Sequence, residues 1–229
     1  MKFNGTQTEI LPDCNIKIIR GDCGACSWVW KLKRLDYDRA MLDRIIPYIR
    51  SDQSVLDLGA FIGSHTVEYL KHAKSVMSFE PNPSAFECLK YNCPDALHVN
   101  VALGNKFCER YWTRIYPNCG ASYLSDEPTP DCLTVPVMPL DSFELPKKIC
   151  YMKIDVEGEE VAVLRGARDT IEEHRPVMCI EVNRAALNRT GTSAEELINM
   201  LHKMRYKTRP IWEGYDKEEQ YDMIAEPLP

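Results

Sequence analysis

No run of eighteen apolar residues occurs in this 229-residue chain, so the sequence offers nothing to span a membrane. The opening residues, MKFNGTQTEILPD, lack the apolar core that a secretory leader needs. Dense basic runs are missing too. The chain carries 34 acidic against 28 basic residues, a net charge of −6, whereas a duplex-binding surface shows a Lys/Arg excess. There are no internal repeats and no low-complexity tract. Ten cysteines are present but scattered, and without a leader the expected compartment is reducing and cytoplasmic. Cys23-x-x-Cys26 lacks the second close pair that would complete a tetrahedral zinc site, so free thiols in a turn are expected. Cys150 and Cys179 lie in apolar runs and read as core thiols.

What is present is enough for a full core: 45% of residues are hydrophobic. The length fits one α/β domain, with residues 1–50 as a lead-in of strands and a helix packed on the core and 51–229 as the main body. The most informative stretch runs from Ser54 to Pro83. Val55 to Leu58 suits a buried parallel strand, and Gly59, Ala60 and Gly63 follow at once. Val67, Leu70 and Ala73 then recur at helical spacing, and a second strand, Val76 to Phe79, ends in Glu80. Strand, glycine turn, helix, strand and acid form a unit that holds an adenosine, with the acid accepting hydrogen bonds from ribose hydroxyls. A dinucleotide site asks for G-x-G-x-x-G, and position 61 is not glycine. With Asp57 in the strand end, the turn better fits a cofactor that carries an ammonium. S-adenosylmethionine has that ammonium, a sulfonium and a ribose.

The rest of the chain extends this unit. Ile16 and Ile18, then Trp28, Trp30 and Leu32, alternate with polar residues and predict two short strands around a Gly-Cys turn. Asp36 is the expected cap of a helix to Ile49, kinked at Pro47. Ser84 is the expected cap of a helix through Phe86 and Leu89, and Leu97 to Val101 a third strand. Residues 105–143 are rich in proline and aromatics and predict strands and loops at the sheet edge, whose aromatics belong more to core than to a substrate platform. Ile149 to Val156 is a fourth strand followed by one long helix, and Val177 to Asn183 a fifth. Ser193 and Glu196 form a capping box, and Lys207 to Trp212 with Gln220 to Ala225 predict a closing antiparallel hairpin.

A second cluster interrupts the apolar strands. Lys153, Asp155 and Glu157 on strand four, and Glu181 and Asn183 on strand five, break the continuous hydrophobic pattern of strands covered on both faces. Residues two apart share a face, so Lys153 pairs in direction with Asp155, and Glu181 with Asn183. Both sets stand at carboxyl ends, where doubly wound sheets bind ligands. Buried charge must be paired or serve a site, and both readings are compatible here.

These residues, taken in order, resemble the FkbM family of S-adenosylmethionine-dependent methyltransferases. The resemblance rests on Asp57-Leu-Gly59-Ala60-Phe-Ile-Gly63-Ser-His-Thr66, Phe79-Glu80-Pro81-Asn82-Pro83, Asn100-Val-Ala102-Leu-Gly104, Leu140-Asp141 and Lys153-Ile-Asp155-Val-Glu157-Gly158-Glu159-Glu160, followed by Leu164-x-Gly166-Ala167. It covers about residues 50 to 205. It implies a doubly wound, Rossmann-like class I methyltransferase fold: a mostly parallel seven-stranded sheet with one antiparallel hairpin strand. The β-rich insertion read from residues 105–143 then falls between strands 3 and 4. It also implies O-methylation of a small molecule or glycan, most often a sugar. Asp57, Gly59, Ala60, Gly63, Thr66, Glu80, Asn82, Ala102 and Asp155 would hold the cofactor.

An alcohol needs to lose its proton before it attacks, so a base or a metal is required. Asp155, Glu181 and Lys153 are the candidate catalytic residues, with His65 as a weaker candidate given a structural or cofactor-side role. A hard cation, Mg²⁺ or Mn²⁺, on Asp155, Glu181 and Asn183 is one version. The other uses a carboxylate as a plain base with Lys153 as its neutralising partner, and the presence of that lysine favours it slightly. Three rival functions stay open: an RNA 2′-O-methyltransferase, which the acidic charge disfavours; a nicotinamide-dependent oxidoreductase, disfavoured by the missing glycine; and a non-catalytic adenosine-binding protein.

Overall fold

A computed structural model of the chain describes residues 7–130, 132–214 and 218–229; the first six residues of the lead-in lie outside the described residues. The lead-in opens with an antiparallel hairpin of β1 (Thr8–Leu11) and β2 (Ile16–Ile19). The segment with Trp28 and Trp30 is helix α1 (Ala25–Leu32), not the expected strand. Cys26 and Val29, three apart, are its buried residues, while Trp28 and Trp30 are exposed. Burial at i and i+3 selects a helix, and alternation of exposed aromatics does not specify a strand. Helix α2 (Arg39–Ile45) starts after Asp38 and continues into a 3-10 turn, Ile46–Tyr48, where Pro47 sits. Asp36, the expected cap, instead accepts hydrogen bonds from Arg34.

The core follows as β3 (Ser54–Leu58), α3 (Thr66–His72), β4 (Ser75–Phe79), α4 (Pro83–Asn92) and β5 (Leu97–Val99). Asn82 rather than Ser84 caps α4, its side chain accepting from the Ser84 N–H at 3.1 Å. That leaves Pro83 at the first helical position, where its missing N–H costs nothing. Four strands then form a separate sheet in the order β6-β9-β7-β8: β6 (Ala102–Leu103), β7 (Cys108–Thr113), β8 (Tyr123–Ser125) and β9 (Leu133–Met138). Trp112, Leu124, Val135 and Val137 bury its inner face.

The main sheet resumes with β10 (Ile149–Ile154), α5 (Glu160–Gly166), α6 (Arg168–His174) and β11 (Val177–Asn183). The single helix expected after β10 is thus two. Asp141 accepts from the N–H groups of Asp169 and Thr170, both at 2.9 Å, and gives α6 its own N-terminus. Gly166 ends α5 where a Cβ would lie 1.9 Å from the Gly104 carbonyl oxygen, so the helix rests directly on backbone. A short α7 (Arg184–Arg189), absent from the sequence expectation, precedes α8 (Ala194–Lys203), which Ser193 caps through the Glu196 N–H. The chain closes with β12 (Tyr206–Pro210) and β13 (Gln220–Pro227).

The large sheet has seven strands in the order β12-β13-β11-β10-β3-β4-β5; β13 alone runs antiparallel to its neighbours. This is the class I methyltransferase arrangement. Alternation within each strand splits the core in two. Leu56, Leu58, Met152, Ile154 and Ile180 pack on one side with Leu164 of α5 and Leu197 of α8. Val55, Tyr151, Cys179 and Ile224 pack on the other with Met41 of α2 and Tyr69 of α3. The hairpin and α1 have their own apolar cluster against Ala85 and Cys88 of α4.

Gly59 joins the two strands that matter most. Its φ of +87° is ill-suited to any side chain, and a Cβ there would fall 1.7 Å from the Asp155 carbonyl oxygen. The obstacle is thus the end of β10, not only the ligand space expected from the sequence. Gly59→Ala is expected to cost about 2 kcal/mol or more in urea unfolding. Wild-type stability in that variant would refute the contact.

Candidate functional site

Where the strands of the large sheet end, their side chains surround a cavity of about 410 Å³. Its floor follows from parity. Asp57 shares a face with Val55, Lys153 with Tyr151, Glu181 with Cys179 and Asp222 with Ile224, so all four polar residues lie on one face of four adjacent strands. Lys153 stands opposite Asp57 in register, and Glu181 opposite Asp222.

Lys153 is 5% exposed and donates to Asp155 Oδ2 at 2.6 Å. Burial alone would lower its pKa, but the carboxylates of Asp155 and Asp57 outweigh that and hold the ammonium well above its ordinary value. Asp57 is almost wholly buried. Its Oδ2 accepts from the Thr66 hydroxyl at 2.5 Å, while Oδ1 has no partner among the described residues.

On the β4 side, Glu80 Oε2 accepts from the Phe61 N–H and Oε1 from the Asn82 N–H, both at 2.8 Å. Phe61 adopts a φ of +48°, which turns its N–H toward the carboxylate. Asn100 donates to the Glu80 carbonyl and so ties β5 to the same corner. Burial raises the Glu80 pKa to about 7 despite the two N–H donors that lower it.

The opposite side is acidic. Glu181 Oε1 accepts from Gln220 at 2.6 Å, and Oε2 is buried with no partner among the described residues. Burial pushes its pKa well up, and Asp155 and Glu157 add to the shift. Glu157, at a φ of +54°, is raised to about 8 by burial and then by Asp155. Asp222 is raised to about 7 by burial.

Of the cofactor residues expected from the sequence, Asp57, Gly59, Ala60, Glu80, Ala102 and Asp155 line the cavity. Gly63, Thr66 and Asn82 stand behind it: Gly63 faces Cys93 and Leu89 of α4, Thr66 holds Asp57, and Asn82 caps α4. Lys153, Asp155, Glu181 and Asn183 all line the same cavity, though Asn183 Oδ1 is engaged with the Ala186 N–H as the cap of α7. His65 also lines it and is kept neutral, its pKa lowered by burial and then by Lys153. Cys23 is exposed and Cys26 lies on the buried face of α1, and both are outside the cavity lining.

Sequence reasoning missed Asp222, Gln220, Tyr37 and Asp38, as well as the loop Asn118–Ala121 that reaches the cavity from the second sheet. That loop is fastened to the lead-in by Asp22, which accepts from the Cys119 and Cys26 N–H groups. The one available signal was Asp222, an acid within the expected closing hairpin; its place beside Glu181 comes from the pairing of β13 with β11. Among the described residues no helix is long and apolar enough to cross a membrane.

This arrangement suits a ligand with one polar end near Asp57, hydroxyls near Glu80, and a reacting centre near Asp155. The unpartnered Asp57 Oδ1, the N–H-bonded Glu80 carboxylate and the cavity volume fit S-adenosylmethionine. Residues 57–208 match the Methyltransferase FkbM domain, some two thirds of the chain. The hexuronic acid methyltransferase AglP of Haloferax volcanii is 25% identical over 196 residues, which are 79% of this chain and 74% of that protein. Among solved structures, the methyltransferase FkbM of Methylobacillus flagellatus KT superimposes with a TM-score of 0.53 at 18% identity, over 77% of this chain and 44% of that one. This chain thus spans less than half the length of that solved relative. The sheet order, the glycine turn and the extent of the domain match lead to one conclusion: the chain belongs to the FkbM methyltransferase family and is an S-adenosylmethionine-dependent methyltransferase.

Proposed function

We propose that this enzyme methylates a hydroxyl group of a sugar, free or within a glycan. The observation that carries the reading is the carboxylate pair Asp155 and Glu181 at the ends of adjacent strands, open to a polar cavity. The similarity to AglP, a hexuronic acid methyltransferase, supports a carbohydrate acceptor. An RNA acceptor is disfavoured: a phosphate backbone would meet Asp155, Glu157, Glu181 and Asp222, with Lys153 already paired.

When bound, the cofactor supplies a methyl group on a sulfonium as the electrophile. Its ribose hydroxyls would donate to Glu80 and its ammonium would sit near Asp57. The acceptor oxygen attacks the methyl carbon in line; the carbon–oxygen bond forms as the carbon–sulfur bond breaks. The hydroxyl proton would pass to the Asp155–Glu181 carboxylates. Lys153 holds Asp155 in position through its hydrogen bond, and alignment supplies most of the acceleration.

A screen of neutral, amino and acidic sugars with methyl-labelled S-adenosylmethionine tests the reading, and label appearing only on RNA or on no acceptor would overturn it. Asp155→Ala is expected to lower turnover about 10²-fold or more while the Kd for the cofactor changes little. Unchanged turnover in both Asp155→Ala and Glu181→Ala would place the chemistry elsewhere.

Glu80 gives a pH prediction. Ribose hydroxyls donate, so they favour its ionised form, and in the free protein that form prevails only above about pH 7. Cofactor affinity should therefore rise from pH 6 to pH 8, by up to about tenfold per unit, with a proton released on binding below pH 7. Glu80→Ala should weaken binding by about 1.5–3 kcal/mol at pH 8 and flatten the profile. Calorimetry in buffers of different ionisation enthalpy measures both; a flat wild-type profile would argue against Glu80 as the ribose acceptor.

A further inference from the structure

The cleft beyond Lys153 carries more negative charge than one ammonium offsets. Asp155, Glu157, Glu181 and Asp222 all line it, and Lys153 already serves Asp155 and Asp57. We propose that Asp155, Glu157 and Glu181 bind one divalent cation, Mg²⁺ or Mn²⁺, next to the methyl-transfer centre.

Geometry is the first support. One carboxylate oxygen from each of the three lies within 4.8 Å of the other two. Oxygens that share a hard cation at about 2.1–2.4 Å are at most about 4.2–4.8 Å apart, so the set closes on an ion with small side-chain movement. The second support is independent of the clustering. Glu181 is 9% exposed, its Oε1 is fixed by Gln220, and its Oε2 has no partner among the described residues. A buried carboxylate oxygen left without a donor calls for a cation or a proton.

The turn that carries Glu157 is held in place. Glu160 Oε1 accepts from the Val156 and Gly158 N–H groups, Arg189 donates to the Glu157 carbonyl, and the Thr190 hydroxyl donates to the Gly158 carbonyl. The Glu157 backbone is therefore placed before any ion arrives, at an angle that a non-glycine residue adopts at some cost. Asn183, the third ligand expected from the sequence, is replaced by Glu157 because its amide oxygen already caps α7. Lys153 does not substitute for the cation: its ammonium bonds Asp155 Oδ2 and faces Asp57, and Arg189 bonds the Glu157 carbonyl rather than its carboxylate. Three carboxylates and open positions toward the cavity form an all-oxygen site that suits Mg²⁺ or Mn²⁺ over softer metals. There the ion would orient the acceptor hydroxyl and lower its pKa. That role rests on the O-methylation reading; the binding site itself does not.

The test is Mn²⁺ binding to the full chain saturated with S-adenosylhomocysteine, followed by loss of the free-ion signal in electron paramagnetic resonance. One Mn²⁺ per chain, displaced by Mg²⁺, is the expected result. Glu157→Gln and Glu181→Gln should each weaken Mn²⁺ binding by about tenfold or more, because ligand charge sets affinity at such sites. Both should still bind S-adenosylhomocysteine, which shows that they fold; if Glu181→Gln does not, Glu157→Gln decides, since it lies in a turn outside the sheet. No Mn²⁺ bound at millimolar concentration overturns the proposal, as does equal binding by wild type and both variants; in either case protons, not an ion, occupy the cluster. Mn²⁺ bound at these residues with no methyl transfer to any sugar would uphold the site and remove the acceptor reading. Methyl transfer to a sugar with no Mn²⁺ bound would do the reverse.

Discussion

The ammonium of Lys153 is the point on which the cleft depends. It sits at the carboxyl end of β10, opposite Asp57 on β3 and bonded to Asp155 just beyond the strand. Without it, the buried Asp57 would lack its nearest cation, and the half-buried Asp155 would add a second carboxylate nearby. Removing one partner of a buried ion pair typically costs about 3–5 kcal/mol, because the remaining charge stays desolvated. Lys153 therefore joins two halves that the sheet merely places side by side. One half carries the glycine turn and Glu80 on β3 and β4, and the other the carboxylates at the ends of β10, β11 and β13.

The backbone reinforces this junction. With Gly59 packed on the Asp155 carbonyl, the turn that follows β3 and the end of β10 move as one piece. Glu80, two strands away, is fixed by N–H groups from Phe61 and Asn82, and so is tied to that same turn. Alignment is the main thing a methyltransferase contributes to an in-line displacement, and here it comes from backbone contacts rather than from mobile side chains.

Much of this was legible in the sequence, for reasons that can be named. The strand, glycine turn, strand and acid between Ser54 and Glu80 are local, and each residue's role follows from its neighbours. The break in apolar pattern at Lys153, Asp155, Glu157 and Glu181 was visible because a strand covered on both faces has no other use for charge. Several motif residues proved to have structural tasks that sequence alone does not separate from ligand binding. Thr66 holds Asp57, Asn82 caps α4, Asp141 caps α6, and Gly166 lets α5 lie on Gly104. What was hidden depends on contacts distant in sequence. The helical state of Trp28–Leu32 is set by burial of Cys26 and Val29 in a cluster shared with α4. Asp222 gains its meaning only when β13 pairs with β11 and brings it opposite Glu181. The Asn118–Ala121 loop reaches the cavity because Asp22, nearly a hundred residues earlier, anchors it.

The antiparallel strand β13 also explains why the acidic side of the cleft is so crowded. A parallel neighbour of β11 would present its own carboxyl end there, and with it a loop free to diverge. An antiparallel strand presents the residues near its start instead, held in ladder register with β11 from Met178 through Asn183. Gln220 and Asp222 are thus placed beside Glu181 by main-chain hydrogen bonds, and the Gln220 amide can fix one Glu181 oxygen at 2.6 Å while the other stays free. The fold thereby supplies a wall of fixed register on the acidic side of the cleft. The loops and the lead-in, which carry Tyr37, Asp38 and Asn118–Ala121, close the remaining sides. The cavity is thereby walled by strand ends on one side and by added segments on the others, and loops at this end of a doubly wound sheet can vary without disturbing the strands that carry them.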